Sequence, residues 1–418
     1  MPVNLYYTQK VRGFQQEKIK YSKNSATIYL RRTKHQCPFC GSASITVEPF
    51  RVRQVRGEPL GSCRKIVLEF TIHRLYCHHC HHRALEHIPF LSHPKSRLTK
   101  ALERTILELR QHISIKALAD FYGLRWHTIK ELEKKHLQKK YSRIQTSHIK
   151  AIGIDEIHRG KGMQNKQYLT IVRDLQSGAV IYVGEGKGIA ALSGALKKLK
   201  RSKLKIVTMD MANSYYSWIT ENFSNAHIVF DHFHVIKLMN DKLDSVRRRL
   251  TARMDDYQRK QIKGLRFLFL MNKEDLHEDG KVILNNMREK FQNLIDAYLL
   301  KEALRSIYRT AHDSFHARLA FLRWCKAAER SEISEMKTMA RTIRDKLDGI
   351  VSFWTFRHIS NAQMEGFNNK IRWLIKQAYG FRDREYFKLK IYQLPEISGS
   401  STICAKTRRK IEKREIRN

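Results

Sequence analysis

LKIVTMDMANSYYSWITENFSNAHIVFDHFHVI, residues 204–236, decides the fold. A short apolar run ends at Asp210, a helix-like segment follows, and a second apolar run ends at Asp231. Working outward, IKAIGIDEIHRGKG (149–162) is an earlier apolar run that ends at Asp155. QYLTIVRDLQSGAVIYVGEG (167–186) reads as two strands around a turn at Asp174–Gly178, and GIAALSGALKKLKR (188–201) as an amphipathic helix. The order strand, hairpin, helix, strand, helix, strand predicts a mixed α/β sheet. Such sheets carry their sites at the C-terminal ends of strands.

One apolar strand ending in a carboxylate is ordinary, but three in one domain are less so. An acid on each of two neighbouring strands offers hard oxygen ligands, which suit Mg²⁺ or Mn²⁺. Two such ions about 3.5–4 Å apart stabilise both the attacking and the leaving oxygen of a phosphodiester displacement. Two aspartates leave that pair short of ligands, so a third carboxylate is expected.

Residues 360–382, SNAQMEGFNNKIRWLIKQAYGFR, supply a candidate. At 3.6 residues per turn, Met364, Phe367, Ile371, Leu374, Ile375 and Ala378 form a core-facing stripe. Glu365, Asn369, Arg372 and Lys376 form a narrow polar stripe beside it, and Gly380 stands where the helix should stop. From this stretch alone, the polar stripe reads equally well as a solvated flank. With the aspartates in view, Glu365 becomes the third metal ligand, and Asn369, Arg372 and Lys376 become contacts to DNA phosphates.

The 418 residues allow two to four domains. There are 80 Lys+Arg against 40 Asp+Glu, a formal net charge of +40. So large an excess calls for a polyanionic partner, nucleic acid before an anionic membrane surface. No apolar run approaches the roughly 18–20 residues of a spanning helix. MPVNLYYTQKVRGF lacks the apolar core of a secretory signal, so the expected location is the cytoplasm. Cysteines there serve as thiols or metal ligands more often than as disulfides.

Cys37 and Cys40 (CPFC) and Cys77 and Cys80 (CHHC) form two C-x-x-C knuckles, the ligand set of one tetrahedral, structural zinc. SITVEPFRVRQV and RKIVLEFTIHRLY between them are strand-like, with Ile66, Leu68, Phe70 and Ile72 alternating. A hairpin closed by a knuckle at each end is a zinc ribbon, expected over 35–90 behind a basic leader, 1–34. The histidines 78, 79, 81 and 82 read as a polar face beside it. Cys63, Cys325 and Cys404 have no partner spacing.

SIKALADFYGLRWHTIKELEKKHLQKK (114–140) reads as two short helices around Gly123, a helix-turn-helix within 95–145. Ala117, Leu118 and Phe121 are expected to face inward on the first helix, and Leu124, Ile129 and Leu132 on the second. Arg125, Trp126, His127, Thr128 and Lys130 would then face the DNA major groove. A plain helical hairpin in a core is the alternative.

Residues 148–395 are assigned to the α/β domain, with charged amphipathic helices inserted at about 240–355. The aromatics there (Phe267, Phe269, Trp324, Trp354) are expected in the core. A basic tail, 396–418, follows.

The ribbon, the helix-turn-helix and the acids in GIDE, VTMDM and SNAQMEGFNN resemble the DDE transposases of bacterial insertion sequences that carry an N-terminal zinc ribbon. VFDHFHVIK and MEGFNNKIRWLIKQAYGFR are the most specific pieces, and the likeness covers roughly residues 35–395. It implies a ribonuclease-H-like catalytic domain, Mg²⁺ (or Mn²⁺) dependence with two ions, and excision and integration of an element. It also implies the triad Asp155, Asp210 and Glu365. In that fold the first and fourth strands are neighbours, so Asp155 and Asp210 would stand side by side. Asp231 would follow the fifth strand, about 4.8 Å further out. Asp231 and His234 match a D-x-x-H signature of such enzymes, implying a supporting role. Without the likeness they read as a helix cap and a polar histidine. Glu156, next to Asp155, would point to the opposite side of the strand and is left out.

The implied partners are double-stranded DNA, as element ends and target, and a second copy of the chain, because two ends must be joined. The bacterial nucleoid is the implied location. The alternatives are a DNA-binding regulator without catalysis and a ribonuclease-H-like nuclease.

Overall fold

Ile66, Leu68, Phe70 and Ile72 turn inward at every second position of one long strand, Lys65–Cys77, and this strand organises the N-terminal part of the chain. The structure, a computed structural model, describes residues 5–159, 168–262, 264–288, 291–356 and 362–397. Cys404 and the tail from residue 398 onward lie outside the described residues. The chain divides into two units, Met1–Ser142 and Arg143–Asn418.

The first unit opens with α1 (Leu5–Gln9), followed by β1 (Phe14–Ser22), β2 (Ser25–Arg32), β3 (Ile45–Gly57), β4 (Lys65–Cys77) and β5 (Arg83–Leu85). The sheet order is β1-β2-β4-β3, with β5 also on β4. β3 and β4 pair antiparallel from Ile45↔Cys77 to Gly57↔Ile66, so the knuckles lie at one end of a long hairpin. Ile66, Leu68, Phe70 and Ile72 are all buried, as their alternation predicts. The expected leader is a departure. Residues 14–32 form a hairpin whose second strand runs parallel to β4 in the same sheet, because Ala26, Ile28 and Leu30 alternate inward as β4 does.

Three helices complete the unit: α2 (Lys100–Leu109), α3 (Ile115–Tyr122) and α4 (Trp126–Tyr141). Ser114 caps α3 by accepting from the Ala117 amide, and Gly123 ends it in the left-handed region, at φ 56°. The inward face of α3 is not the expected one. Ile115, Leu118, Ala119 and Tyr122 are buried, whereas Ala117 and Phe121 are exposed. The i, i+3, i+4, i+7 pattern starts at Ile115, so the face through Ala117 and Phe121 expected from the sequence is out of phase with it. On α4, Ile129 and Leu137 are buried and Leu132 is only half-buried. A buried Arg110–Glu133 pair (2.8 Å) joins α2 to α4.

The second unit holds the mixed sheet: β6 (Ala151–His158), β7 (Tyr168–Asp174), β8 (Val180–Glu185), β9 (Ile206–Met209) and β10 (His227–Phe230), in the order β10-β9-β6-β7-β8. β6, β9 and β10 are parallel, and β7 and β8 run antiparallel to their neighbours. The helices α5 (Ile189–Leu199) and α6 (Asn213–Asn222) cover one face, where Ile152, Ile154, Val207 and Met209 are buried. Ala151 and Ile157, one residue out of step on β6, face the other side with Met364, Phe367 and Ile371. This alternation fixes which acids look at which helix.

From β10 the chain passes directly into α7 (His232–Ala252) and a run of helices: α8 (Asp256–Ile262), α9 (Arg266–Leu270), α10 (Glu278–Asn286), α11 (Gln292–Thr310), α12 (Ser314–Arg330), α13 (Ser334–Asp345) and α14 (Leu347–Thr355). They share one apolar core with the first face of the sheet. A Cβ at Gly349 would meet the Phe230 ring at 2.5 Å, so α14 lies tight on β10. Phe269, Trp324 and Trp354 are buried as expected, but Phe267 is 71% exposed. Finally α15 (Ala362–Gln377) and α16 (Arg384–Ile397) cover the second face.

Candidate active site and metal centre

The two knuckles have the same backbone. In the first, the Gly41 amide donates to the Cys37 carbonyl and the Cys37 amide to that of Ser42; His81, Cys77 and His82 repeat the pattern. Gly41 (φ 75°) and His81 (φ 56°) occupy corresponding left-handed positions. The folded knuckles bring the Sγ atoms of Cys37, Cys40, Cys77 and Cys80 within 4.8 Å of one another. Cys37 and Cys80 approach to 3.6 Å, and Cys40 and Cys77 to 3.5 Å. A tetrahedron of thiolates about 2.3 Å from one ion has edges of about 3.8 Å, so the group can hold a metal ion. The amides of Cys40 and Phe39 pull the Cys37 thiol down to about 6 despite its burial, and those of Cys80 and His79 lower Cys77, while burial and the neighbouring thiols push Cys40 and Cys80 up.

A second cluster in the same unit brings donor atoms of His35, His73 and Glu86 within 4.8 Å of one another, beside Arg32. Glu86 accepts from His73 Nδ1 (2.7 Å), with His35 Nδ1 at 3.4 Å and Arg32 Nε at 3.7 Å. The Arg32 guanidinium supplies the countercharge that a cation would otherwise bring. The cluster joins the β1–β2 hairpin to β4, which is why the leader is part of the sheet.

In the α3–α4 pair, Arg125 is the N-cap residue of α4, and Trp126 and His127 follow in its first turn. All three are exposed. Thr128 is half-buried. Lys130 is largely covered and lies 3.6 Å from Glu131, which makes it the least available of the five.

In the second unit, β6 and β9 pair in the register Gly153↔Thr208. Continued two residues, it sets Asp155 level with Asp210. β10 pairs Phe230 with Met209, and the Asp231 amide donates to the Met209 carbonyl, so Asp231 follows at the same level. The alternation places Asp155 and Asp210 on the face that carries α15. Glu156 is on the other face, where it accepts from the Tyr215 hydroxyl.

α15 is held against that face at several points. Met364, Phe367 and Ile371 are buried there, and a Cβ at Gly153 would meet the Met364 side chain at 2.8 Å. Buried Arg173 on β7 donates to the Gln363 carbonyl (2.8 Å) and lies 4.0 Å over the Phe367 ring. Asn368 donates from Nδ2 to Asp155 Oδ2 (2.8 Å). Leu374 and Ile375 are only half-buried, and Ala378, beyond the helix, is exposed. Glu365, Asn369, Arg372 and Lys376 are all exposed, as the stripe predicts. Arg372 donates to the Asn369 side chain (2.6 Å), and Lys376 lies over the Trp373 ring.

Glu365 precedes Asn368 by three residues, one turn along the same side of the helix. The carboxylates of Asp155, Asp210 and Glu365 do not gather within 4.8 Å of one another as the four thiols do.

Burial raises Asp155 to about 6; Asp210 and Asp231 push the same way, and the Glu156 amide and His234 oppose them. Burial would also raise Asp231, but His234 Nδ1, 3.0 Å from its Oδ2, holds it below the usual range. That bond in turn raises His234, with help from the charges of Asp155 and Asp210. Asp231 also caps α7 through the Phe233 amide, as the capping reading expects.

Two neighbours of the acids escaped the sequence reading. Asn368 looks like one of a pair of polar residues beside the stripe, and only its position within the stripe, four after Met364, marks it. Lys346 is drawn upward by the charge of Asp210 although burial lowers it overall, and its Nζ donates to the Met211 carbonyl. No local pattern ties it to Met211, 135 residues earlier. Among the described residues, no helix is long and apolar enough to cross a membrane.

Residues 152–391 match the family model of the ISL3 group of DDE transposases, described as Transposase. Over 391 residues the chain is 31% identical to the transposase of insertion sequence element IS1001 of Bordetella parapertussis, covering 91% of this chain and 94% of that protein. It is 26% identical over 378 residues to the transposase of insertion sequence element IS1557 of Mycobacterium tuberculosis, covering 83% of this chain and 82% of that one. Among solved structures, a chain of the Drosophila P element transposase strand transfer complex aligns with a TM-score of 0.38 and 11% identity, over 70% of this chain and 90% of that one. The chain belongs to the ISL3 family of insertion-sequence transposases, enzymes that cut and join DNA.

Proposed function

We propose that this transposase binds the terminal inverted repeats of its element through the first unit and cleaves and transfers strands at Asp155, Asp210 and Glu365. The register that sets Asp155 level with Asp210, on the face where α15 is fastened, carries the reading. The strand order supports a ribonuclease-H-like domain, with the helices after β10 as its insertion.

Three carboxylates from β6, β9 and α15 fit Mg²⁺ or Mn²⁺, hard ions that take oxygen donors. Two such ions, when bound, activate the attacking oxygen and stabilise the leaving one. The residues do the rest. Asp155 and Asp210 present their carboxylates from parallel strands, and Glu365, exposed on α15, would join them when the ions bind. The Asp231–His234 pair stands beside the acids and supports them, and Arg372 and Lys376 continue the line of α15 as contacts to the DNA backbone.

In the first unit the four thiols hold one structural zinc, whose loss would release both knuckles. Arg125, Trp126 and His127 reach DNA from the start of α4, and Thr128 and Lys130 follow more weakly. The net charge of +40 supports tight, salt-dependent binding. A dimer joins the two ends, and the cytoplasm, on the nucleoid, is where this chemistry takes place.

The reading is tested by Asp210→Ala: strand cleavage on repeat-bearing DNA is lost while end binding stays, and cleavage at the wild-type rate would refute it. The family assignment rules out a regulator or a nuclease of another class as the first reading.

A further inference from the structure

We infer that Asn368 is a positioning residue: its amide holds the Asp155 carboxylate and sets the spacing between Asp155 and Glu365. The inference rests on the three-acid reading above and deepens it.

Asn368 sits where the helix has every reason to be apolar. It is 4% exposed, between Met364, Phe367 and Ile371, which are 0–2% exposed. Its Nδ2 donates to Asp155 Oδ2 across 2.8 Å, while its Oδ1 is buried without a hydrogen-bond partner. A buried acceptor left unpaired costs roughly 1–3 kcal/mol. A leucine there would avoid that cost, so packing alone does not explain an amide. The bond to Asp155 does.

Asp155 is gripped at both oxygens. Oδ1 accepts from the Glu156 amide (2.7 Å) and Oδ2 from Asn368. Each carboxylate oxygen has two acceptor sites, so one bond to each leaves the other free for a cation. The carboxylate therefore cannot rotate without breaking a bond at each end. Because Glu365 lies one turn before Asn368, the same bond that orients Asp155 also fixes the turn of helix carrying the third acid. Groups that orient metal-ligating side chains typically change metal affinity 10–100-fold when removed.

The test uses the full-length protein and Mn²⁺ alone as the probe, its free fraction read by electron paramagnetic resonance, beside a thermal melt. Asn368→Leu keeps the volume and removes the amide, and Asn368→Ala guards against a packing defect in one variant. The melting temperature of Asn368→Leu should equal or exceed that of the wild type. Both variants should bind Mn²⁺ about tenfold more weakly, and strand cleavage should need correspondingly more Mg²⁺. Asp155→Asn should lose the ion altogether. Wild-type Mn²⁺ affinity in both Asn368 variants, with loss in Asp155→Asn, overturns this inference alone. Unchanged affinity in all three overturns the three-acid reading with it.

Discussion

Asp155, within β6, and Asp210, just past the end of β9, stand level on two parallel, hydrogen-bonded strands, a consequence of the Gly153↔Thr208 register. A one-residue slip of β9 would turn Asp210 to the opposite face, toward α5 and α6. The burial of Val207 and Met209 on that opposite face prevents the slip.

Burial of Asp155 makes stability depend on pH with a definite sign. Its pKa rises from 3.8 to about 6. Between those values the folded chain keeps a proton that the unfolded chain has released, so this group's contribution falls as pH rises through the window. Asp155→Asn escapes that loss. Without divalent ions at pH 7.5 the variant should be more stable than wild type by on the order of 1–2 kcal/mol, the gap closing toward pH 4. A gap that widens toward acid in parallel melts would count against a buried Asp155. Cleavage by the wild type should also decline below about pH 6, as protons compete for the ligand.

Gly153 is the contact that admits α15. A Cβ there would lie 2.8 Å from Met364 and 2.9 Å from Leu175. Gly153→Ala should destabilise the protein by about 1–3 kcal/mol and slow cleavage by lifting Glu365. Adding Met364→Ala should restore part of the stability. A double-mutant cycle showing no coupling would mean that the helix is held elsewhere.

Zinc should be present at one ion per chain and disappear in Cys37→Ser or Cys77→Ser, as metal analysis would show. End binding should weaken in these variants. Full zinc content in Cys77→Ser would exclude the four-thiol site.

DNA binding should lose affinity with salt, by about 0.9 in log K per tenfold salt for each phosphate contact. Arg125→Ala should weaken end binding by about 1–3 kcal/mol and leave cleavage of saturated complexes intact. Lys130→Ala should do less, because Lys130 is covered beside Glu131. A larger effect from Lys130 than from Arg125 in gel shifts would reverse the assignment of the exposed face.

Much of this architecture was legible because alternation and helical period are local. The β3–β4 hairpin, Asp210 and Asp231 just past their strands, the Met364–Ile371 stripe and the exposed flank through Glu365 all follow from spacing, whereas β6 runs on past Asp155 to His158 because β7 pairs with it that far. What was missed depends on partners far away in the chain. Residues 14–32 look like a charged leader until β4 offers an edge for β2. The phase of α3 was misread because Ala117 and Phe121 are apolar yet face outward, while Ile115 at the first turn sets the buried row. Asn368 and Lys346 carry no local mark of their nearness to Asp155 and Asp210.

The central claim is that β6, β9 and α15 bring three carboxylates to one metal-dependent site. The most direct test is cleavage and strand transfer on DNA carrying the element's inverted repeats, comparing wild type with Glu365→Gln in Mg²⁺ and in EDTA. The account predicts Mg²⁺-dependent cutting at the repeat ends by the wild type, and loss of cutting with end binding retained in Glu365→Gln. Wild-type cutting by Glu365→Gln would contradict it, since α15 would then contribute no ligand.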